Sequence, residues 1–274
     1  MIPALPAREL DELRDRAIGA AIEAGDEIRR IYNGDYHVRE KSDKTPVTTA
    51  DLAANGIIVA RLGEATQGLP ILAEESERHP YETRSNWKHY WLVDPLDGTR
   101  EFIKGNGEFC VNIALVSGHE AVVGVVHSPL SGTTWHAING GGAWKRSKES
   151  RDAAIATRRT PGSRPTVAGS RSHATGRLGV FLGALGPHEL IPMGSAIKSC
   201  LVAEGAADIY PRFGPTSEWD TAAAQCIVEE AGGRMTDLRL QRLRYNTRES
   251  LTNPSFVVVG DPGFDWCPAL EAVS

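Results

Sequence analysis

The stretch Val93-Asp94-Pro95-Leu96-Asp97-Gly98-Thr99 decides how the chain is to be read. It follows an apolar run, Trp91-Leu92-Val93, that reads as the end of a strand. Pro95 has no N–H and cannot extend a ladder, so the sequence predicts a turn between the two aspartates. Asp94, Asp97 and the Leu96 carbonyl can then face one point. Gly98 lets the backbone approach a ligand closely. Thr99-Arg100-Glu101-Phe102 can open a helix, whose first N–H groups would form an anion site. One short loop thus offers oxygen ligands to a hard cation and N–H donors to a phosphate, and an all-oxygen set suits Mg²⁺. Taken singly, such a stretch is most often only a turn.

Two further acidic segments stand in comparable positions. Glu74-Glu75 follows the apolar Ile71-Leu72-Ala73, and Glu218-Trp219-Asp220-Thr221 opens an expected helix. Each has an ordinary explanation by itself: a solvated loop charge for Glu74, a helix cap for Asp220. Asp51, in Thr48-Thr49-Ala50-Asp51, reads by itself as a charge favourable to the start of a helix.

Working outward, Leu10, Leu13, Ala17, Ile18, Ala21, Ala24, Ile28 and Ile31 recur at three- and four-residue steps and predict a long amphipathic helix. A second helix is expected after Thr48 or Thr49, either of which can cap it. Strands are expected over residues 70–73, 90–93, 111–116, 122–127 and 133–138, with a hairpin turn at 117–120 and a glycine turn at 140–142. Residues 145–164 are polar and broken by Pro161-Gly162, which places the division into two halves there: 1–150, and 151–274. Beyond it, strands (166–169, 208–210, 256–259) alternate with helices (196–204, 220–231). Layered sheets and helices follow, an α+β arrangement whose order the pattern leaves open.

Bulk composition narrows the function. Of 274 residues, 41% are hydrophobic and 24% charged, too apolar for a disordered chain. The net charge of -5 argues against a nucleic acid polymer as partner, but not against a small anion met by a bound cation. Cys110, Cys200, Cys226 and Cys267 show no paired spacing, which speaks against a zinc site or disulfide framework and for a reducing compartment. No run approaches the roughly 18 apolar residues of an integral membrane segment. A cytoplasmic protein is the expectation, with peripheral attachment at the inner membrane left open.

Together, the acidic pair after a strand, the DPxDGT stretch, and Trp219-Asp220 before a helix ended by Ala231-Gly232-Gly233 resemble the inositol monophosphatase superfamily. Longer stretches resemble its CysQ-type branch, the 3′(2′),5′-bisphosphate nucleotidases. These are Asn106-Gly107-Glu108-Phe109, Ser170-Arg171-Ser172-His173, Gly194-Ser195 with Lys198, Tyr210-Pro211-Arg212-Phe213-Gly214-Pro215-Thr216, and Thr247-Arg248-Glu249-Ser250 with Asn253-Pro254. The resemblance covers roughly residues 10 to 260.

The resemblance implies the layered α/β/α/β/α sandwich of the sugar phosphatases and two or three Mg²⁺ ions per site. Their ligands would be Glu74, Asp94, the Leu96 carbonyl, Asp97 and Asp220. Thr99 supported by Asp51 would be catalytic, handling the proton of a metal-activated water that attacks phosphorus directly. Gly98, Thr99, His173, Ser195, Lys198 and Arg212 would contact a nucleotide bisphosphate. The implied reaction converts adenosine 3′,5′-bisphosphate to AMP and phosphate, a housekeeping role in sulfur assimilation. Inositol or sugar monophosphate hydrolysis is the alternative, and a catalytically silent nucleotide- or metal-binding protein is a third reading. Relatives that pair leave a homodimer open.

Overall fold

The structure is a computed structural model of the chain, and describes residues 5–41, 44–66, 68–147, 151–169 and 176–273. Along the chain it forms α1 (Ala7–Tyr32), β1 (Val38–Glu40), β2 (Pro46–Thr48), α2 (Thr49–Ala65), β3 (Ile71–Ala73), α3 (Tyr81–Arg84), β4 (His89–Asp97), α4 (Thr99–Lys104), β5 (Cys110–Ser117) and β6 (Glu120–Ser128). Then come β7 (Thr133–Ile138), β8 (Ala143–Arg146), β9 (Ala153–Ile155), β10 (Thr166–Gly169), α5 (Arg177–Leu185), β11 (Glu189–Pro192) and α6 (Ile197–Ala203). The chain ends with β12 (Ile209–Arg212), a 3₁₀ turn (Glu218–Asp220), α7 (Ala222–Glu230), β13 (Arg234–Asp237), β14 (Phe256–Val259) and α8 (Cys267–Glu271).

Strands β3 to β9 make a seven-stranded sheet in sequence order, with only β3 and β4 parallel. A five-stranded sheet runs β11-β10-β12-β14-β13. Alternation along single strands fixes the layers. In β4, Trp91 and Val93 point into a core with α1 and α2, while Tyr90 and Leu92 point into a second core with α6 and α7. In β14, Phe256 and Val258 join that second core, and Val257 and Val259 face a third with Phe181, Leu182, Trp266 and Leu270 of α5 and the α8 region. The order is therefore helices, sheet, helices, sheet, helices: the expected α+β sandwich. Helix α7 lies so close to β6 that a Cβ on Gly124 would sit 2.2 Å from the Ala223 carbonyl oxygen, so only glycine fits there.

Three readings change in detail. The sequence predicted a strand ending at Val93 and a turn at Pro95; instead β4 continues through Asp97 and the irregularity is a bulge between Asp94 and Asp97. Strand β3 pairs with β4 only as far as Val93, so Pro95 owes no N–H to a neighbour on that side. The helix expected from Asp220 is the 3₁₀ turn followed by α7 from Ala222. Within the polar stretch read as the division between halves, β9 pairs with β8, so the seven-stranded sheet runs to Ile155, past residue 150. Among the described residues no helix is long and apolar enough to cross a membrane.

Candidate active site

The bulge in β4 puts two carboxylates at the end of the first sheet, and the 3₁₀ turn brings a third. Asp94, Asp97 and Asp220 each offer an oxygen within 4.8 Å of the others. Each is tied in place. Asp94 Oδ1 accepts the Leu96 N–H at 3.0 Å; Asp97 Oδ2 accepts the Ala196 N–H at 2.5 Å; Asp220 Oδ2 accepts the Ser217 N–H at 2.8 Å. Asn112, fully buried and opposite Asp94 in register, points its amide at Asp97 Oδ2, 3.5 Å away.

Three such groups in one place repel. Burial, and then the charges of Glu74, Asp97 and Asp220, push the Asp94 carboxyl well above the usual carboxylate range. Burial and Asp97 hold Asp220 up to about 8. Asp97 is also raised by burial, with Lys198 opposing. This donor set fits a hard divalent cation: it is all oxygen, it is preassembled, and a dication would turn its mutual repulsion into attraction. The Leu96 carbonyl lies 3.3 Å from the Thr99 hydroxyl oxygen.

Glu74 is held beside this cluster by its N–H to the Val93 carbonyl, 3.1 Å. Its carboxylate is paired with Lys41 Nζ at 2.7 Å, and Glu75 takes the same ammonium. The structure thus puts Glu74 near enough for Asp94 to feel its charge, and gives its carboxylate a lysine partner that the sequence did not suggest.

Thr99 Oγ1 donates to Asp51 Oδ1 at 2.9 Å. The other oxygen of Asp51 accepts the Thr48 N–H (2.8 Å) and the Thr48 hydroxyl (2.6 Å), closing a capping box at the start of α2. Asp51 is therefore cap and hydroxyl partner at once, and burial raises its carboxyl. Between Asp97 and Thr99, Gly98 has φ 99°, a conformation natural to glycine.

A cleft of about 180 Å³ opens beside the carboxylates, lined by Asp97, Gly98, Arg100, Glu101, Ser195, Lys198, Tyr210, Arg212, Asp220 and Phe256 among others. Lys198 is 4% exposed, lies 5.1 Å from the centre of the Tyr210 ring, and has its pKa pushed down to about 8 by burial against the pull of Asp97. Arg212 donates to the Pro215 carbonyl at 3.3 Å, and its buried Nε has no partner among the described residues. Ser195 takes a positive φ of 51°, and its Oγ accepts the Ile197 N–H at 3.4 Å. Gly98, Ser195, Lys198 and Arg212 thus meet in one cleft, while His173 lies outside the described residues. Sequence reading missed Lys41, Asn112, Arg100, Glu101, Tyr210 and Phe256. Only Asn112 carried a local signal, a polar residue inside the apolar run Val111-Asn112-Ile113.

A preassembled all-oxygen carboxylate cluster that could hold a metal ion, beside a carboxylate-held hydroxyl at the edge of a five-layer sandwich, is the arrangement of a metal-dependent phosphatase. The chain belongs to the inositol monophosphatase family, whose family model it matches over residues 9–259. It is 44% identical to the 3′(2′),5′-bisphosphate nucleotidase CysQ of Escherichia coli strain K12 over 246 residues, which covers 89% of this chain and 98% of the relative. The CysQ nucleotidase of Haemophilus influenzae is 38% identical over 258 residues, covering 93% and 96%. Among solved structures, CysQ from Bacteroides thetaiotaomicron superposes with a TM-score of 0.78 at 39% identity, covering 90% of this chain and 96% of that one. The extragenic suppressor protein SuhB of Bartonella henselae gives 0.77 at 27% identity, covering 95% and 97%.

Proposed function

We propose that the chain is a Mg²⁺-dependent phosphomonoesterase that hydrolyses adenosine 3′,5′-bisphosphate to AMP and phosphate, a step serving sulfur assimilation. The observation that carries this reading is the meeting of Asp94, Asp97 and Asp220 beside a cleft that also holds the buried Lys198 and the half-buried Arg212. One side suits the cation and the scissile phosphate; the other suits a second anion. The substrates named for the bisphosphate nucleotidase relatives carry that second phosphate.

Glu74, Asp94, the Leu96 carbonyl, Asp97 and Asp220 would hold the ions. Bound Mg²⁺ would neutralise the phosphate and acidify the attacking water. Thr99 directs its proton to Asp51 at 2.9 Å, which leaves its oxygen lone pairs to accept the proton of that water. Asp51 can stabilise the charge because Thr48 fixes its second oxygen. The water oxygen bonds to phosphorus, the bond to the ribose oxygen breaks, and the ribose oxygen takes up a proton from solvent. Lys198 and Arg212 bind the phosphate that stays, the first as a point charge and the second as a planar fork.

The test compares kcat/KM of the purified protein for adenosine 3′,5′-bisphosphate and inositol 1-phosphate. A preference of at least about 100-fold for the nucleotide is expected, the scale of one well-placed charged contact. A preference for the inositol ester would assign the cleft to monophosphates.

A further inference from the structure

Residues 245–253 contain a motif for which the cleft has no place: Asn246-Thr247-Arg248-Glu249-Ser250, then Asn253. None of these lines the cleft. The segment runs instead against the 3₁₀ turn that carries Asp220.

The turn carries four bonds of its own: Asp220 N–H to the Ser217 carbonyl (3.1 Å), Thr221 N–H to the Glu218 carbonyl (3.2 Å), Ser217 N–H to Asp220 Oδ2 (2.8 Å) and the Thr221 hydroxyl to the Glu218 carbonyl (3.1 Å). Further bonds come from outside. The Asn253 side-chain amide nitrogen lies within hydrogen-bond distance of the Ser217 carbonyl (2.7 Å), Thr221 Oγ1 (3.0 Å) and Thr216 Oγ1 (3.2 Å), and its two protons serve the two nearest, at both ends of the turn. The Asn253 N–H donates to the Thr216 carbonyl at 2.8 Å, and the Glu218 N–H to the Leu251 carbonyl at 2.8 Å. Ser217 and Thr252 form an antiparallel bridge.

The far end of the segment is anchored in turn. Asn246 donates its N–H to Glu218 Oε2 at 2.7 Å and its side-chain amide to the Arg84 carbonyl at 2.6 Å. The Arg84 guanidinium, 2% exposed, donates to Asn246 Oδ1 and to the carbonyls of Arg248 (3.1 Å) and Glu249.

Asp220 lies beside two other acidic groups, and Asn253 ties both ends of the turn that carries it to the 245–253 segment. We propose that Asn253 is a positioning residue for Asp220: with Asn246 and Arg84 behind it, it straps the turn down so that the third carboxylate stays beside Asp94 and Asp97 before a cation arrives. The inference rests on the metal role proposed for Asp220. Groups that orient metal ligands from behind commonly change affinity by 10- to 100-fold when removed.

The test is Mn²⁺ binding to the full chain, followed by titration calorimetry and by the Mn²⁺ electron paramagnetic resonance signal, alongside melting in chelator. Asn253→Ala should raise the Mn²⁺ Kd at least about 10-fold, while kcat at saturating metal stays within about threefold of wild type. Asn253→Ser, which keeps one donor and disturbs folding less, should give an intermediate Kd. Asp220→Asn is the control, and adding Asn253→Ala to it should weaken binding no further. A lowered melting temperature with unchanged Mn²⁺ Kd in both Asn253 variants would make the strap purely structural and overturn the proposal. Should Asp220→Asn itself leave the Kd unchanged, the metal role of Asp220 falls and the proposal falls with it.

Discussion

Asp94→Asn should make the metal-free protein more stable and at the same time deprive it of its response to Mg²⁺. Asp94 is 2% exposed, with carboxylate oxygens of Asp97 and Asp220 within 4.8 Å. At that separation and an effective dielectric near 20, two full charges repel by about 3.5 kcal/mol. The protein relieves this by taking up protons. Burial and the neighbouring carboxylates raise Asp220 to about 8, while its unfolded counterpart ionises near 3.8. Such a raised carboxyl weakens the fold progressively as pH rises from 3.8 toward 8. Asparagine keeps the acceptor for the Leu96 N–H and removes one charge. A gain of about 1–3 kcal/mol follows in chelator. With an unfolding entropy of about 0.6 kcal/mol/K for a chain this long, that is roughly 2–5 °C in Tm. For the wild type, Mg²⁺ at 100 times its Kd adds about 2.7 kcal/mol, close to 5 °C. The gap between the two proteins should therefore close or reverse: the variant melts higher in EDTA, and Mg²⁺ raises the wild type alone. Calorimetry in both buffers reads this, and the variant should not turn over the bisphosphate at any Mg²⁺ concentration. A variant that melts well below wild type in EDTA, or that keeps the full Mg²⁺ shift, refutes the reasoning.

Thr99→Ala removes the hydroxyl that Asp51 holds and should lower kcat about 100-fold without changing the Mn²⁺ Kd, with Thr99→Ser restoring most of the rate; equal loss of metal binding would make Thr99 structural. Lys41→Met frees Glu74 from its ammonium and should lower the Mg²⁺ concentration for half-maximal activity by about 3- to 10-fold, as expected for removing one exposed-to-half-buried ion pair; an unchanged or higher requirement would show that Lys41 and the cation do not compete. His127, buried on β6 with Nδ1 2.8 Å from Thr134 Oγ1, has its pKa lowered to about 4 by burial. The unfolded chain therefore binds a proton that the folded one refuses, so stability present above pH 6.5 is lost as pH falls toward 4, by about 3 kcal/mol. His127→Gln should flatten that part of the curve of stability against pH, and parallel curves would contradict a neutral His127.

What could be read from the sequence was what local chemistry dictates. The short apolar run over residues 90–93 and the helical spacing of Leu10, Leu13, Ala17, Ile18 and Ala21 placed a central strand and its first covering helix, because both signals are local to the chain. Asp51 and Asp220 show the limit of such reading. Both are caps, as local pattern suggests, and both face the site, because one carboxylate oxygen satisfies the helix end and the other is left over. The bulge at Pro95 was read as a turn, since whether a proline breaks a ladder depends on where β3 ends. Strands β9 and β11 have mostly exposed residues and no apolar rhythm, so nothing local announces them. Lys41 reaches Glu74 across 33 residues, and Asn253 reaches Ser217 across 36. Contacts of that range are set by the packed layers and leave no spacing to find.

The most direct measurement is phosphate release from adenosine 3′,5′-bisphosphate by the purified chain as Mg²⁺ is titrated into enzyme stripped with EDTA. No turnover is expected without the metal, with saturable recovery on its addition and AMP with one equivalent of phosphate as products. Turnover that persists in excess chelator, or a fully metal-loaded protein that leaves the bisphosphate intact, would contradict this expectation.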